Sequence, residues 1–407
     1  MSFQHGLSGL NAASMQLDVI GNNVANANTV GFKTSEAQFS DVYAASLSVG
    51  GGSDVGIGTR VTAVEPSFTQ GNIRVTENPL DLAINGSGFF RLDANGSAVY
   101  TRNGQFHLDK DGYIVNTDGA RLTGYAASAN GTIVPAAPVD LQLTTSDIQP
   151  QVTGSSTVVA NLDSRAALPT AAPFDSTDTA TYNSATSMSV YDSLGNAHVL
   201  STFFVKTGAN TWDVYGTLDG TQVGAGSLGT LAFQTNGLLD PALSTIPMTV
   251  SAPVATGAAT PLAFTIDFTG TTQFGSSFGV TTLQQDGYAS GRLTGFAVDD
   301  DGIITARYSN GQSRPQGQVV LANFNSPAGL KPLGSNLWTE TSTSGPALIG
   351  VPGSGNLGVM QSGAVEDSNV DLTKELVDMI TAQRVYQANA QTIKTQDSVL
   401  QTLVNMR

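Results

Sequence analysis

The chain has 407 residues, enough for two or three domains with cores of their own. Only 12% are Asp, Glu, Lys or Arg, and the net charge is −15, so phosphate backbones would repel it and nucleic acid is excluded as a partner. It contains no cysteine, which rules out disulfides, thiol nucleophiles and thiolate metal sites, and suits a protein exported unfolded.

The chain opens with Met1-Ser2-Phe3-Gln4-His5-Gly6-Leu7, which lacks the basic and continuous apolar regions of a secretory leader. No apolar run reaches the roughly 18 residues needed to span a membrane. A cytoplasmic protein fits, and so does one exported by a route without a cleaved signal peptide. Residues 1–28 predict a first helix. Leu7, Leu10, Ser14, Leu17, Gly21 and Val24 recur at three-four spacing, a weak stripe of small residues that would let a partner helix approach closely. The following Asn and Gly residues, Asn26, Asn28 and Gly31, terminate it.

From 35 to about 70 the chain reads as irregular, with a glycine patch at Gly50-Gly51-Gly52. Beyond Gly71 it becomes short strands and tight turns. Asn103-Gly104 and Asp111-Gly112, set between alternating segments, are strong hairpin signals. Ser, Thr, Ala and Pro accumulate from about Thr144 to Ser184, and strand signals return at Met188-Ser189-Val190-Tyr191, 199–205 and Trp212-Asp213-Val214-Tyr215. After Gly291 the earlier style resumes, and Leu293-Thr294-Gly295-Phe296 echoes Leu122-Thr123-Gly124-Tyr125.

The chain ends in a long helical pattern over 370–407. Leu372, Leu376, Met379, Tyr386, Ala390, Ile393, Leu400 and Val404 keep alternating steps of four and three, with Gln383 and Asp397 in polar slots and no Gly or Pro. Such a helix is roughly 50 Å long. Asp371 and Glu375 suit its start. It cannot bury its seam against itself, so it needs a partner, and the first helix is the candidate.

The expected fold is mixed and mainly β, with long terminal helices forming a coiled-coil-like inner domain (1–30 and 365–407). An extended linking region (31–70) leads to a first β domain (71–144 and 290–364), into which a second, outer β domain (145–289) is inserted.

Chemistry finds no foothold. Gly353-Ser354-Gly355-Asn356-Leu357-Gly358 matches a dinucleotide fingerprint but has no surrounding βαβ unit, so it reads as a turn. The Asp109–Gly112 and Asp299–Gly302 segments lack the remaining ligands of a calcium loop. His5, His107 and His198 lie in different segments, without a zinc or triad pattern. No catalytic residue, metal site or cofactor is expected, and the chain is not read as an enzyme.

The N-terminal run Leu7-Ser8-Gly9-Leu10-Asn11-Ala12-Ala13 and the motif Asn26-Ala27-Asn28-Thr29-Val30-Gly31-Phe32-Lys33 resemble the bacterial flagellar axial family of rod and hook proteins. So do Ser368-Asn369-Val370-Asp371-Leu372, Ala382-Gln383-Arg384, Asn78-Pro79-Leu80-Asp81-Leu82 and Thr101-Arg102-Asn103-Gly104-Gln105-Phe106. Val190-Tyr191-Asp192-Ser193-Leu194-Gly195-Asn196, with Trp212, is similar to the inserted domain of the hook branch, which the shorter distal rod protein lacks. Val385 departs from the pattern, since hook proteins often carry a polar residue there.

The resemblance implies a structural subunit that polymerises into an extracellular, flexible helical tube, the hook, a universal joint between motor and filament. Its implied partners are further copies of itself, the distal rod protein, the hook cap protein, the hook–filament junction proteins and the flagellar export apparatus. A distal rod protein is the nearest alternative and a secreted β-rich adhesin a more remote one.

Overall fold

A computed structural model describes residues 2–42, 56, 58–128 and 130–405. The chain is mainly β, with one helix near each end and several sheets between them. It divides into two compact units. The first comprises Met1–Thr145, Gly295–Arg307 and Ser313–Arg407, and the second Ser146–Thr294 and Tyr308–Gln312.

In the first unit, helix α1 spans Ser2–Ala25 and helix α2 spans Leu372–Asn405. Asp371 caps α2, its carboxylate accepting from the Thr373 and Lys374 amides at 2.9 and 3.2 Å. The linking region is not irregular. Ser35–Val42 and Gly58–Pro66 pair as an antiparallel ribbon, from Ser35 opposite Pro66 to Val42 opposite Gly58, with a register shift between Gln38 and Phe39. Its larger apolar residues, Phe39, Val42, Val61 and Val64, are few and three apart in each strand, which gives too little alternating contrast to be seen as a strand pattern. The glycine patch at 50–52 lies outside the described residues.

Two further two-stranded pairs, Leu82–Asn85 with Val359–Ser362 and Ile73–Val75 with Ala364–Glu366, stand beside one large sheet. Its central path runs through Ser313–Val319, Arg121–Ala126, Phe89–Ala94, Ser97–Thr101 and Leu337–Thr339. Alternation decides the two faces. Phe90 and Leu92 enter a core with Leu82, Ile84, Leu122 and Leu321, while Phe89 turns to an aromatic cluster with Tyr100, Phe324 and Trp338. The Asp-Gly signal holds: Gly112 takes φ +83°, and the Asp109 carboxylate accepts from the Asp111 and Tyr113 amides. Asn103-Gly104 does not close a hairpin, since the strands on either side, Ser97–Thr101 and His107–Leu108, pair with other strands.

The second unit is two sheets sharing one core. A four-stranded sheet orders Met248–Ala252, Leu262–Asp267, Ser155–Asn161 and Gly279–Gln285. A five-stranded sheet is built on Ser184–Tyr191, Ala197–Lys206 and Thr211–Leu218. Val158, Phe264 and Ile266 of the first meet Leu200, Phe204, Trp212 and Val214 of the second in one buried cluster, the layering of a β-sandwich.

Candidate functional site

Where α1 ends, four distant stretches of the first unit close on one carboxylate. Glu366 is fully buried. Its Oε1 accepts from Lys33 Nζ at 2.6 Å and from the Gly71 amide at 2.8 Å; its Oε2 accepts from Arg102 Nη1 at 3.0 Å. Lys33 also donates to the Thr69 carbonyl at 2.7 Å, and Arg102 to the Gly86 carbonyl at 2.7 Å. Lys33 and Arg102 are themselves buried. Burial pushes both cations below their usual range, and the Glu366 charge opposes it. Such a group is costly to break because a lone charge would remain in the interior.

The motif residues feed this clasp. Gly31 takes φ +70°, donates its amide to the Glu366 carbonyl at 2.7 Å, and lies so close to the next turn that a Cβ would stand 2.5 Å from the Asn103 nitrogen. Asn26 donates to the Asn22 carbonyl and accepts from Thr29 Oγ1, fastening the helix end. Phe32 is half-buried and Asn28 exposed. Lys33 and Arg102 were legible as motif residues; Glu366 and its pairing with them were not, since nothing local marks a partner 333 residues away.

A second buried polar set joins both helices to the ribbon. Asn23 Nδ2 donates to Glu375 Oε1 at 3.1 Å and to the Ser35 carbonyl, and its Oδ1 accepts from the Ser35 amide. Burial pushes the Glu375 carboxyl up, against the Asn23 and Thr34 donors. The Thr34 amide donates to Asn369.

The helices run antiparallel. A Cβ on Gly6 would sit 2.9 Å from Ile393 Cγ1, one on Gly9 2.8 Å from the Asn389 amide, and Asn23 meets Glu375. Gly6, Gly9 and Asn23 of α1 meet α2, and with the buried Ala13 and Ile20 they run one position ahead of the stripe expected from the sequence. Close approach selects the smallest residues, and the leucines are displaced to the flank. Leu10, Leu17 and Val24 are half-buried and Leu7 is exposed.

On α2, Glu375 and Ala382 are buried, and Met379, Ala390 and Ile393 are half-buried. Leu372, Leu376, Tyr386, Leu400 and Val404 are exposed, with Leu376 and Leu400 each at 49% and Val404 at 74%. Val377, Ile380 and Val385 extend this open apolar band. The long seam is therefore only partly used within one chain.

Among the described residues no cluster of His, Asp and Glu could hold a metal ion, and no helix is long and apolar enough to cross a membrane. Sequence reasoning also missed an ionic group in the second unit. His198 is bonded through both ring nitrogens, to Asp192 and Asp219. The turn residues Asp192 to Asn196 were read as a motif, but pairing with His198 depends on strand register.

Four family profiles match successive parts of the chain. They are described as the flagellar basal body rod protein (residues 3–33), the flagellar hook protein FlgE/F/G D1 domain (83–158), the flagellar basal body protein FlaE D2 domain (161–288) and the flagellar basal body rod FlgEFG protein C-terminal region (361–406). The flagellar hook protein FlgE of Escherichia coli (strain K12) is 44% identical over 417 residues, covering 100% of both chains. That of Salmonella typhimurium is 43% identical over 415 residues with the same coverage, and that of Borreliella burgdorferi 34% identical over 442 residues, covering 100% of this chain and 99% of that one. The crystal structure of Helicobacter pylori flagellar hook protein FlgE2 has a related fold, with a TM-score of 0.55 at 13% identity, covering 72% of this chain and 100% of that one.

Proposed function

The chain belongs to the flagellar hook protein family, and from that premise we propose how its parts serve the hook. It is a structural subunit of the bacterial flagellar hook and acts in motility. The terminal helices form the inner, coiled-coil-like layer of a helical homopolymer, and the second unit is an outer domain inserted into the first β domain. The buried clasp at Glu366 joins the helices to the β sheet so that torque passes between layers.

The observation that carries this reading is the open apolar band on α2, from Leu372 and Leu376 to Leu400 and Val404. Exposed apolar side chains gathered at two stretches of α2, 372–386 and 399–404, form an interaction surface. Its three-four spacing fits helices of other copies. Close approach at Gly6 and Gly9 leaves the larger exposed side chains of α2, such as Leu376 and Leu400, for contacts between subunits. The polymer joins the distal rod protein at one end and the hook–filament junction proteins at the other, grows beneath the hook cap protein, and receives subunits exported without a cleaved signal peptide by the flagellar export apparatus. Its role is mechanical, with no catalytic step, and the tube bends as a universal joint.

Leu376→Ala combined with Leu400→Ala tests the reading. Burying each leucine between subunits is worth about 2–5 kcal/mol. Sedimentation and electron microscopy under polymerising conditions should show tubes lost or sharply reduced, while the monomer's melting temperature stays at the wild-type value. Normal tubes, or a monomer destabilised by the change, would place these residues elsewhere.

A further inference from the structure

We propose that His198 is the cationic centre of a carboxylate–imidazolium–carboxylate clamp that makes the second unit less stable as pH rises above neutrality. His198 lies at the start of strand Ala197–Lys206, opposite Val190 of strand Ser184–Tyr191, and is 5% exposed. Its Nδ1 is 2.6 Å from Asp219 Oδ2, and its Nε2 is 3.3 Å from Asp192 Oδ2.

A neutral imidazole carries one N–H. It can satisfy one of these carboxylates, and must then turn a lone pair toward the other. Only the imidazolium donates to both, and a site this closed leaves water little room to substitute.

Neither carboxylate can escape by taking a proton. Asp192 is fully buried. Its Oδ1 accepts from the amides of Leu194 and Asn196, each at 2.9 Å, and its Oδ2 also accepts from Asn196 Nδ2 at 2.9 Å and Thr256 Oγ1 at 2.6 Å. Burial works against this charge, yet those donors hold the carboxyl well below the usual range. Asp219 accepts from the Val199 amide at 2.8 Å and is likewise held low by His198 and that amide, against its burial. For His198, burial opposes the charge, but the two aspartates outweigh it and hold the imidazole above its ordinary range.

Among the described residues, the titratable groups bonded to the ring are Asp192 and Asp219. The strand Ser184–Tyr191 offers Val190, and the segment 253–261, which supplies Thr256, contains no ionisable side chain.

The clamp has reach within the second unit. The turn that follows Asp192 holds Ser193, whose hydroxyl accepts from the Ala259 amide at 2.9 Å. It also holds Gly195, where a Cβ would stand 2.7 Å from Pro150 Cβ and 3.3 Å from Ala289 Cα. Loss of the proton therefore strains the hairpin, the 253–261 segment and the places where the chain enters and leaves the unit.

Because the folded imidazole keeps its proton longer than an unfolded one, the clamp contributes fully below about pH 6.5, and its contribution is lost as pH rises through the folded midpoint. The aspartates, held low, contribute above about pH 4 and matter only in acid.

The experiment is a pH series of imidazole nitrogen spectra on the full chain. The sequence has three histidines, so His5→Gln and His107→Gln assign the signals without touching the clamp. His198 should remain doubly protonated well above about pH 6.5. Asp219→Asn keeps a residue type that tolerates the φ of +49° found there, and should bring the midpoint down by about one pH unit or more. The unit's melting temperature should fall by about 3–5 °C for each pH unit separating the folded midpoint from an ordinary histidine's. His198→Gln should abolish that fall. A midpoint at or below about 6.5, a midpoint unmoved by Asp219→Asn, or wild-type melting that stays flat with pH would each overturn the proposal.

Discussion

Glu366 gathers Lys33, Arg102 and Gly71 from positions scattered over most of the chain, and it does so in full burial. Removing the carboxylate charge leaves two cations in the interior, so Glu366→Gln should cost about 3–5 kcal/mol. Lys33→Met should cost less, because Glu366 keeps Arg102 as a partner. Urea unfolding of both variants checks the order, and equal small losses would show that the clasp is hydrated in solution. Gly31→Ala should cost about 1–3 kcal/mol through backbone strain, plus the clash with Asn103. At this scale the sequence was half legible. The motif pointed to Gly31 and Lys33, but a charge's partner across the fold leaves no local mark.

At the scale of elements, α1 and α2 divide their residues between two tasks. Gly6 and Gly9 let the pair approach, with Ile393 packed against Gly6, while Leu372, Leu376, Leu400 and Val404 of α2 remain outside. Gly9→Val should therefore push the helices apart even though valine is the better helix former. Circular dichroism of the monomer should show reduced helicity and protease should cut both ends faster than in wild type. Leu376→Ala with Leu400→Ala should leave both measurements unchanged. Helicity retained in Gly9→Val would mean that the pair tolerates a wider spacing. The existence and period of both helices followed from the pattern of apolar residues. Which stripe faces inward did not, because a three-four repeat defines a band and the packing partner chooses its centre.

At the scale of the molecule, the second unit is entered and left by adjacent strands. Ile148 and Gly291 exchange backbone hydrogen bonds at 2.9 and 3.3 Å, and Gln151 pairs with Tyr288. Every residue of the first unit's two buried clusters lies outside 149–290. A chain in which a two-glycine turn joins Ile148 to Gly291 should thus keep the first unit's melting temperature. On the bending tube proposed above, strain grows with radius, so a second unit placed outermost would make small, exchangeable contacts. The shortened chain should still form tubes, and electron micrographs should show them straighter than wild type. Unchanged curvature would place its origin in the inner layers, and failure to assemble would make the second unit part of the wall.

Local pattern alone determined the helical ends, the β character between them, the turns at Asp109–Gly112 and the motif around Gly31. These depend on periodicity and on backbone preferences that act within a few residues. Tertiary structure decided what depends on distant juxtaposition. It turned a weakly contrasted linker into the 35–66 ribbon and shifted the buried face of α1 by one residue toward its glycines. It also set three buried charges at Glu366 and closed His198 between two aspartates. In each case the deciding energy belongs to a pair that meets only after folding, and no single stretch of sequence contains both partners.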